Sequence, residues 1–244
     1  MITSKSNELI KKCVQIKQKK FSKQDGLCLV ESIKLVKELS TKGLIDIILV
    51  TEKKLSFVKD FSVKKIEVIS DSLASYLSDT VTPDGVFGIC KIPEPSNIKY
   101  NRCLVLDRIQ DPSNIGAIIR SACAFGYDTI FAINSVYPYT TKCIRSSMGH
   151  IFNINYIDVD IEGLIQIKKQ KDIRFYVADM NGENIDNIFH DKNENLAIII
   201  GNEGQGVDDR LFDISDKTIS ISMNSKVESL NASVSAGIIM YLLR

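Results

Sequence analysis

Aliphatic residues fall in short blocks along this chain, and the stretches between them carry apolar residues at helical spacing. In the first hundred residues the blocks at 27–30, 44–50, 65–70 and 86–92 have the length and composition of strands. Between them, residues 7–19 have helical composition. Ile33, Val36 and Leu39 mark a second helix that Gly43 can close, and Asp71 opens a third. Residues 82–85 read as a turn, with Pro83 pre-setting φ and Gly85 free to take a positive φ. This is a small α/β unit ending near Ile92. Residues 93–101, with two prolines between apolar strands, read as a linker. The alternation then restarts, with strands expected at 102–107, 129–133, 173–178, 196–200 and 217–221, and a closing helix over 231–243. Strands that are aliphatic almost throughout, alternating with helices, imply a parallel sheet covered on both faces. The expected organisation is therefore two α/β domains, residues 1–95 and 102–244.

Composition adds little until it is divided. The chain has 244 residues and a net charge of +1. Residues 1–100 nevertheless carry +5 and the remainder −4. Seven lysines fall within residues 5–23, against the single acid Glu8. Such a run is either a solvated helix face or a surface that meets phosphates. The N-terminus lacks the apolar segment of a secretory signal, and no apolar run approaches a membrane span, so a cytoplasmic protein with no membrane partner is expected. The six cysteines form no C-x-x-C pair and several lie in apolar blocks, which points to buried reduced thiols, with no metal site. His150 and His190 have no nucleophile motif beside them and read as incidental.

Three segments carry candidate chemistry. After the strand ending at Asp107, Pro112 and Ser113 stand where a helix begins and Gly126 where it ends. Ile115, Ile118, Ile119 and Ala122 can face the sheet, which leaves Asn114 and Arg120 as polar groups near the carboxyl end of a strand, where open α/β sheets bind ligands. Asn114 could equally cap the helix and Arg120 be solvated. In the second segment the aliphatic run 196–200 ends in a loop holding Gly201, Glu203, Gly204 and Gly206. Its G-x-x-G-x-G spacing is neither a P-loop nor a dinucleotide fingerprint, which disfavours a nucleotide-dependent enzyme. A tight turn with Glu203 exposed is the plain alternative. The third segment runs from the strand ending at Met223 through a polar loop to Ser229, Leu230 and Asn231. It then enters a helix built of Ala232, Ser233, Ser235, Ala236 and Gly237. Small residues so close together permit close backbone approach, to a ligand or to a partner helix.

In combination, N-x-G-A-I-I-R-S-A, G-N-E-G-Q-G and I-S-M-(x)5-S-L-N-A-S-V-S-A-G, in that order, resemble the three signature motifs of the SpoU (TrmH) branch of the SPOUT superfamily, the RNA ribose 2′-O-methyltransferases. The resemblance spans residues 102–244, and the N-terminal part is more weakly similar to the L30e-like substrate-recognition domain of many members. One position departs, with Ser222 standing where members commonly have Pro. The resemblance implies an α/β domain with a parallel sheet and a deep trefoil knot, a homodimer, and a pocket for S-adenosylmethionine with no metal. It places Gly201, Ile221, Met223 and Leu230 at the cofactor. Arg120, Asn114, Glu203, Ser229 and Asn231 are then expected at the reaction. Arg120 often reaches in from the partner subunit in such proteins. A guanidinium holds its proton, so Arg120 suits phosphate binding and alkoxide stabilisation better than proton removal. The implied substrate is ribosomal RNA, with transfer RNA or a non-catalytic RNA-binding role as alternatives.

Overall fold

The computed structural model describes residues 1–189, 191, 193–224 and 226–244, so His190 lies outside the described residues. Two compact units emerge, Met1–Pro93 with Tyr139–Phe152, and Glu94–Pro138 with Asn153–Arg244.

The first unit comprises α1 (Glu8–Gln15), α2 (Lys19–Asp25), β1 (Leu27–Glu31), α3 (Ile33–Thr41), β2 (Ile45–Thr51), α4 (Leu55–Val58), β3 (Lys65–Ile69), α5 (Asp71–Leu77) and β4 (Val86–Lys91). Its sheet runs β1-β4-β2-β3, with β4 antiparallel to both neighbours and β2 parallel to β3. The helix expected over 7–19 stops at Gln15, and a second helix, α2, begins only at Lys19. A turn closed by Gln18 N–H donating to the Gln15 carbonyl (2.9 Å) separates them, and Lys17 there donates to the Leu77 carbonyl (3.0 Å). Asn7 caps α1 by accepting from Leu9 N–H. The apolar faces of α1 and α5 (Ile10, Cys13, Ile16, Leu73, Leu77) close over Leu29, Leu49, Ile69 and Phe87 of the sheet. Gly85 takes the positive φ its turn demands, +76°.

By contacts the segment Tyr139–Phe152 belongs to the first unit. Its helix α7 (Thr141–Ser146) packs on β1, and Gly149 approaches Leu35 so closely that a Cβ would lie 2.3 Å from Leu35 Cδ1. Nothing in the sequence around 139–152 marks this exchange.

The second unit holds β5 (Arg102–Asp107), α6 (Pro112–Phe125), β6 (Thr129–Ile133), β7 (Asn155–Asp158), α8 (Ile161–Lys171), β8 (Ile173–Asn184), β9 (Asn195–Ile200), α9 (Asp209–Asp213), β10 (Lys217–Ser220) and α10 (Ala232–Leu242). Its sheet is parallel throughout, ordered β10-β8-β9-β5-β6-β7. The short strand β7 has no counterpart among the sequence-based elements. Strand β8 extends to Asn184, beyond the expected end at 178. Pairing between β8 and β10 jumps from Val177↔Thr218 to Glu183↔Ile219, so residues 178–182 leave the ladder as an excursion. Gly182 ends it against the β10 backbone, where a Cβ would lie 2.6 Å from Ile219 N and C. Asp111 caps α6 and Gly126 ends it at φ +81°, while Ile115, Ile118, Ile119 and Ala122 are buried as their spacing predicts.

Candidate active site

The carboxyl ends of β8, β9 and β10 and the start of α10 enclose a cavity of about 400 Å³ in the second unit, within the range of small-molecule sites (roughly 300–1,000 Å³). Gly201, Ile221, Met223 and Leu230 line it, as do Glu203 and Ser229. Its apolar wall includes Ile200, Val207, Ile219 and Ile239, and the excursion from β8 contributes Ala178, Asp179, Met180 and Asn181.

Folding brings three of the five expected reaction residues into one hydrogen-bonded chain. Asn231 caps α10 by accepting from Ser233 N–H (2.9 Å) and Ser233 Oγ (2.6 Å), and its Nδ2 donates to Asn114 Oδ1 at 3.1 Å. Asn114 Nδ2 in turn donates to Glu203 Oε1. The three sequence segments thus meet through Asn114. Asn114 is not the α6 cap, since Asp111 performs that role. Arg120 lies elsewhere. It is exposed on α6, does not line the cavity, and has no hydrogen-bond or ion-pair partner among the described residues.

The glycine loop is held by its own geometry. Asn202 and Gly206 exchange backbone bonds of 3.1 and 2.9 Å, and Asn202 Oδ1 accepts from the N–H groups of Gly204 and Gln205. A Cβ on Gly201 would lie 2.5 Å from the Gly206 carbonyl carbon, so closure of the loop on itself already requires glycine there. Close approach to a ligand is a second use of the same freedom.

Two contributors were missed from sequence. Arg108, at φ +56°, ties the end of β5 to the loop. Its guanidinium donates to Asp107, to Gln205 Oε1 (3.2 Å) and to the Gly206 carbonyl (3.2 Å), while Asn202 Nδ2 donates to the Arg108 carbonyl at 2.9 Å. The Asp107 side chain is 1% exposed and also accepts from Asp208 N–H at 2.8 Å. Hydrogen bonding to Asp107 raises the Arg108 pKa further above its ordinary value. Opposite charges side by side at the end of an aliphatic strand were the available signal. The β8 excursion was the other omission, although Asp-Met-Asn-Gly is turn chemistry in plain sight. The six cysteines are thiols outside any disulfide. Burial pushes the thiols of Cys13, Cys103 and Cys143 up to about 12 and that of Cys123 to about 11, which removes them as nucleophiles. No group of metal-ligating side chains occurs among the described residues, and no described helix is long and apolar enough to cross a membrane.

A parallel sheet whose strand ends hold a cavity of small-molecule size, with a glycine loop and an amide–carboxylate relay beside it, is the arrangement in which open α/β proteins bind small-molecule ligands. Residues 101–241 match the SpoU rRNA Methylase family and residues 7–88 match the MRM3-like substrate binding domain. The chain belongs to the SpoU family and is an S-adenosylmethionine-dependent RNA methyltransferase. It is 29% identical over 247 residues to the 23S rRNA (guanosine(2553)-2′-O)-methyltransferase RlmP of Bacillus subtilis, covering 100% of this chain and 98% of that one. It is 27% identical over 183 residues to the 23S rRNA (adenosine(1067)-2′-O)-methyltransferase of Streptomyces azureus, covering 72% and 68%. Its fold superposes on the AdoMet-bound rRNA methyltransferase of Sinorhizobium meliloti with a TM-score of 0.87 at 23% identity, over 100% of this chain and 96% of that one.

Proposed function

We propose that this protein methylates a ribose 2′-hydroxyl of large-subunit ribosomal RNA, with the methyl donor in the cavity at the ends of β8, β9 and β10. The observation that carries this reading is the Asn231–Asn114–Glu203 relay, which joins all three motif segments at the rim of that cavity. The residues present suit the donor. Aliphatic walls accept the adenosine, main-chain groups of the loop can meet the adenine edges, and the carboxylates Asp179, Glu203 and Glu228 face a cationic ligand. When bound, S-adenosylmethionine supplies a methyl group already activated on sulfur, so orientation and proton loss are what remain for the protein.

In this reading Gly201, Ile221, Met223 and Leu230 hold the cofactor, and Ser229 and Asn231 hold the target nucleotide and the turn into α10. Glu203 fixes Asn114, which positions the ribose. Arg120 binds the phosphate next to the target and stabilises the developing alkoxide, and the proton leaves to that phosphate or to solvent. The cavity has no Lys, Arg or His among its described lining residues. Arg120 has no partner among the described residues of its own chain, so we assign it to the site of a partner copy in a homodimer. An apolar stripe on α10 supports that assembly. Val234 and Tyr241 on this stripe are 48% and 51% exposed, and Gly237 between them has its nearest intrachain neighbour, Ser121 Oγ, at 3.7 Å from a Cβ position, so packing within the chain does not require glycine. The domains of this reading are residues 1–95 for RNA recognition and 102–244 for transfer, the second with a deep trefoil knot. Packing of α10 on α6 and β9 is compatible with such a knot. Ribosomal RNA is favoured over transfer RNA because both named relatives act on 23S rRNA.

The test incubates the protein and labelled S-adenosylmethionine with ribosomal and transfer RNA from cells lacking it. Label in an alkali-resistant dinucleotide of 23S RNA is the expected result. Label confined to transfer RNA overturns the substrate, and cofactor binding without transfer to any RNA makes the protein a non-catalytic binder.

A further inference from the structure

We infer that Asp179 and Glu228 make the cavity selective for the charged methyl donor over its demethylated product, S-adenosylhomocysteine; the inference rests on the cofactor reading of that cavity. Three other carboxylates of this unit are neutralised by cations. Asp107 meets Arg108 at 3.0 Å, Asp208 meets Arg210 at 3.0 Å, and Asp216 meets Lys168 and Arg174 at 2.7 and 3.3 Å. The three carboxylates of the cavity are treated differently. Glu203 is bonded by the neutral amide of Asn114. Asp179 Oδ1 accepts from the backbone and side-chain N–H groups of Asn181 at 2.9 and 3.1 Å, and Oδ2 has no partner among the described residues. Glu228 has no hydrogen-bond or ion-pair partner among the described residues.

Unpaired like charges around one cavity repel, and a cation among them relieves the repulsion. S-adenosylmethionine carries one net positive charge at neutral pH and its product none, because loss of the methyl group leaves a neutral thioether. The two share adenosine, ammonium and carboxylate, so shape and hydrogen bonds cannot separate them well. Charge can. Transfer therefore removes the ligand's attraction at the moment the product forms, which favours its exchange for fresh donor. The same field disfavours entry of an RNA phosphate into the cavity and leaves the phosphate to Arg120.

Isothermal titration of the full-length protein at low salt compares both ligands on the wild type, Asp179→Asn and Glu228→Gln. Asparagine keeps the oxygen that Asn181 uses, so the excursion is retained. Glu228 is exposed, so its substitution carries the test even if position 179 proves sensitive. Each change should weaken the donor about fivefold while the product shifts by less than about twofold, and added salt should narrow the wild-type gap. Parallel weakening of both ligands, or an unchanged ratio in both variants, overturns the inference. Leu230→Trp separates this from the cofactor reading. If it abolishes binding of both ligands while the carboxylate variants leave the ratio unchanged, only the selectivity fails. If it leaves both affinities at the wild-type level, the cavity assignment itself fails.

Discussion

The two units handle surplus charge in opposite ways. In the N-terminal unit the surplus is cationic. Within residues 5–23, Lys12 and Lys17 are paired with Asp25 and Asp79, and Lys5 lies 4.3 Å over the Tyr76 ring. Lys11 and Lys19 are exposed and have no partner among the described residues. In the catalytic unit the surplus is anionic, and Asp179, Glu203 and Glu228 line its cavity. A polyanionic RNA and a cationic methyl donor make opposite demands, and a near-neutral chain meets both by keeping its excess lysines and excess carboxylates on different units. Net charge hides this division, the charge of each half shows it, and the structure adds which members of each surplus are paired.

Arg120 tests the contrast most severely, as an unpaired cation on the anionic unit. Arg120→Ala should lower single-turnover methyl transfer by at least ~100-fold while donor affinity stays within about twofold. Comparable activity would remove Arg120 from the chemistry. Arg108 tests the difference between a neutralised carboxylate and the unneutralised ones. Arg108→Ala strands the buried Asp107 carboxylate and should cost about 2 kcal/mol in urea unfolding, below the usual range for a fully buried pair because Arg108 is partly exposed. Asp179→Asn should change stability by no more than about 0.5 kcal/mol. Equal costs would mean that the two kinds of carboxylate do not differ as described. The smallest effect is expected on the lysine face. Gln at Lys11, Lys19 and Lys20 together should flatten the dependence of log RNA affinity on log salt by up to about two, at ~0.7 per phosphate contact. Gln at the paired Lys12 and Lys17 should flatten it less. An unchanged slope returns the run to a solvated helix face.

Much of the catalytic unit was legible because its signals are local. Aliphatic runs too continuous for a half-exposed sheet announced parallel strands, and Asp111, Pro112 and Gly126 bracket α6 as capping chemistry predicts. Residues 7–19 misled because composition does not report a break that serves a distant carbonyl, Leu77, through Lys17. β7 was too short to stand out. An arginine beside an aspartate is only a weak signal in sequence, because the value of Arg108 comes from Gln205 and Gly206, almost a hundred residues away.

The sequence by itself determined the α/β class, the extra glycines of the loop, the three motif segments and the identity of the residues able to do the chemistry. Those depend on propensity and spacing, which act over a few residues. Tertiary structure alone decided that Asn114 joins Glu203 and Asn231, that Arg120 stands apart from the cavity of its own chain, that residues 139–152 complete the first unit, and that Asp179 and Glu228 form no ion pair among the described residues. Pairing is a property of distance in space, and no period along the chain encodes it.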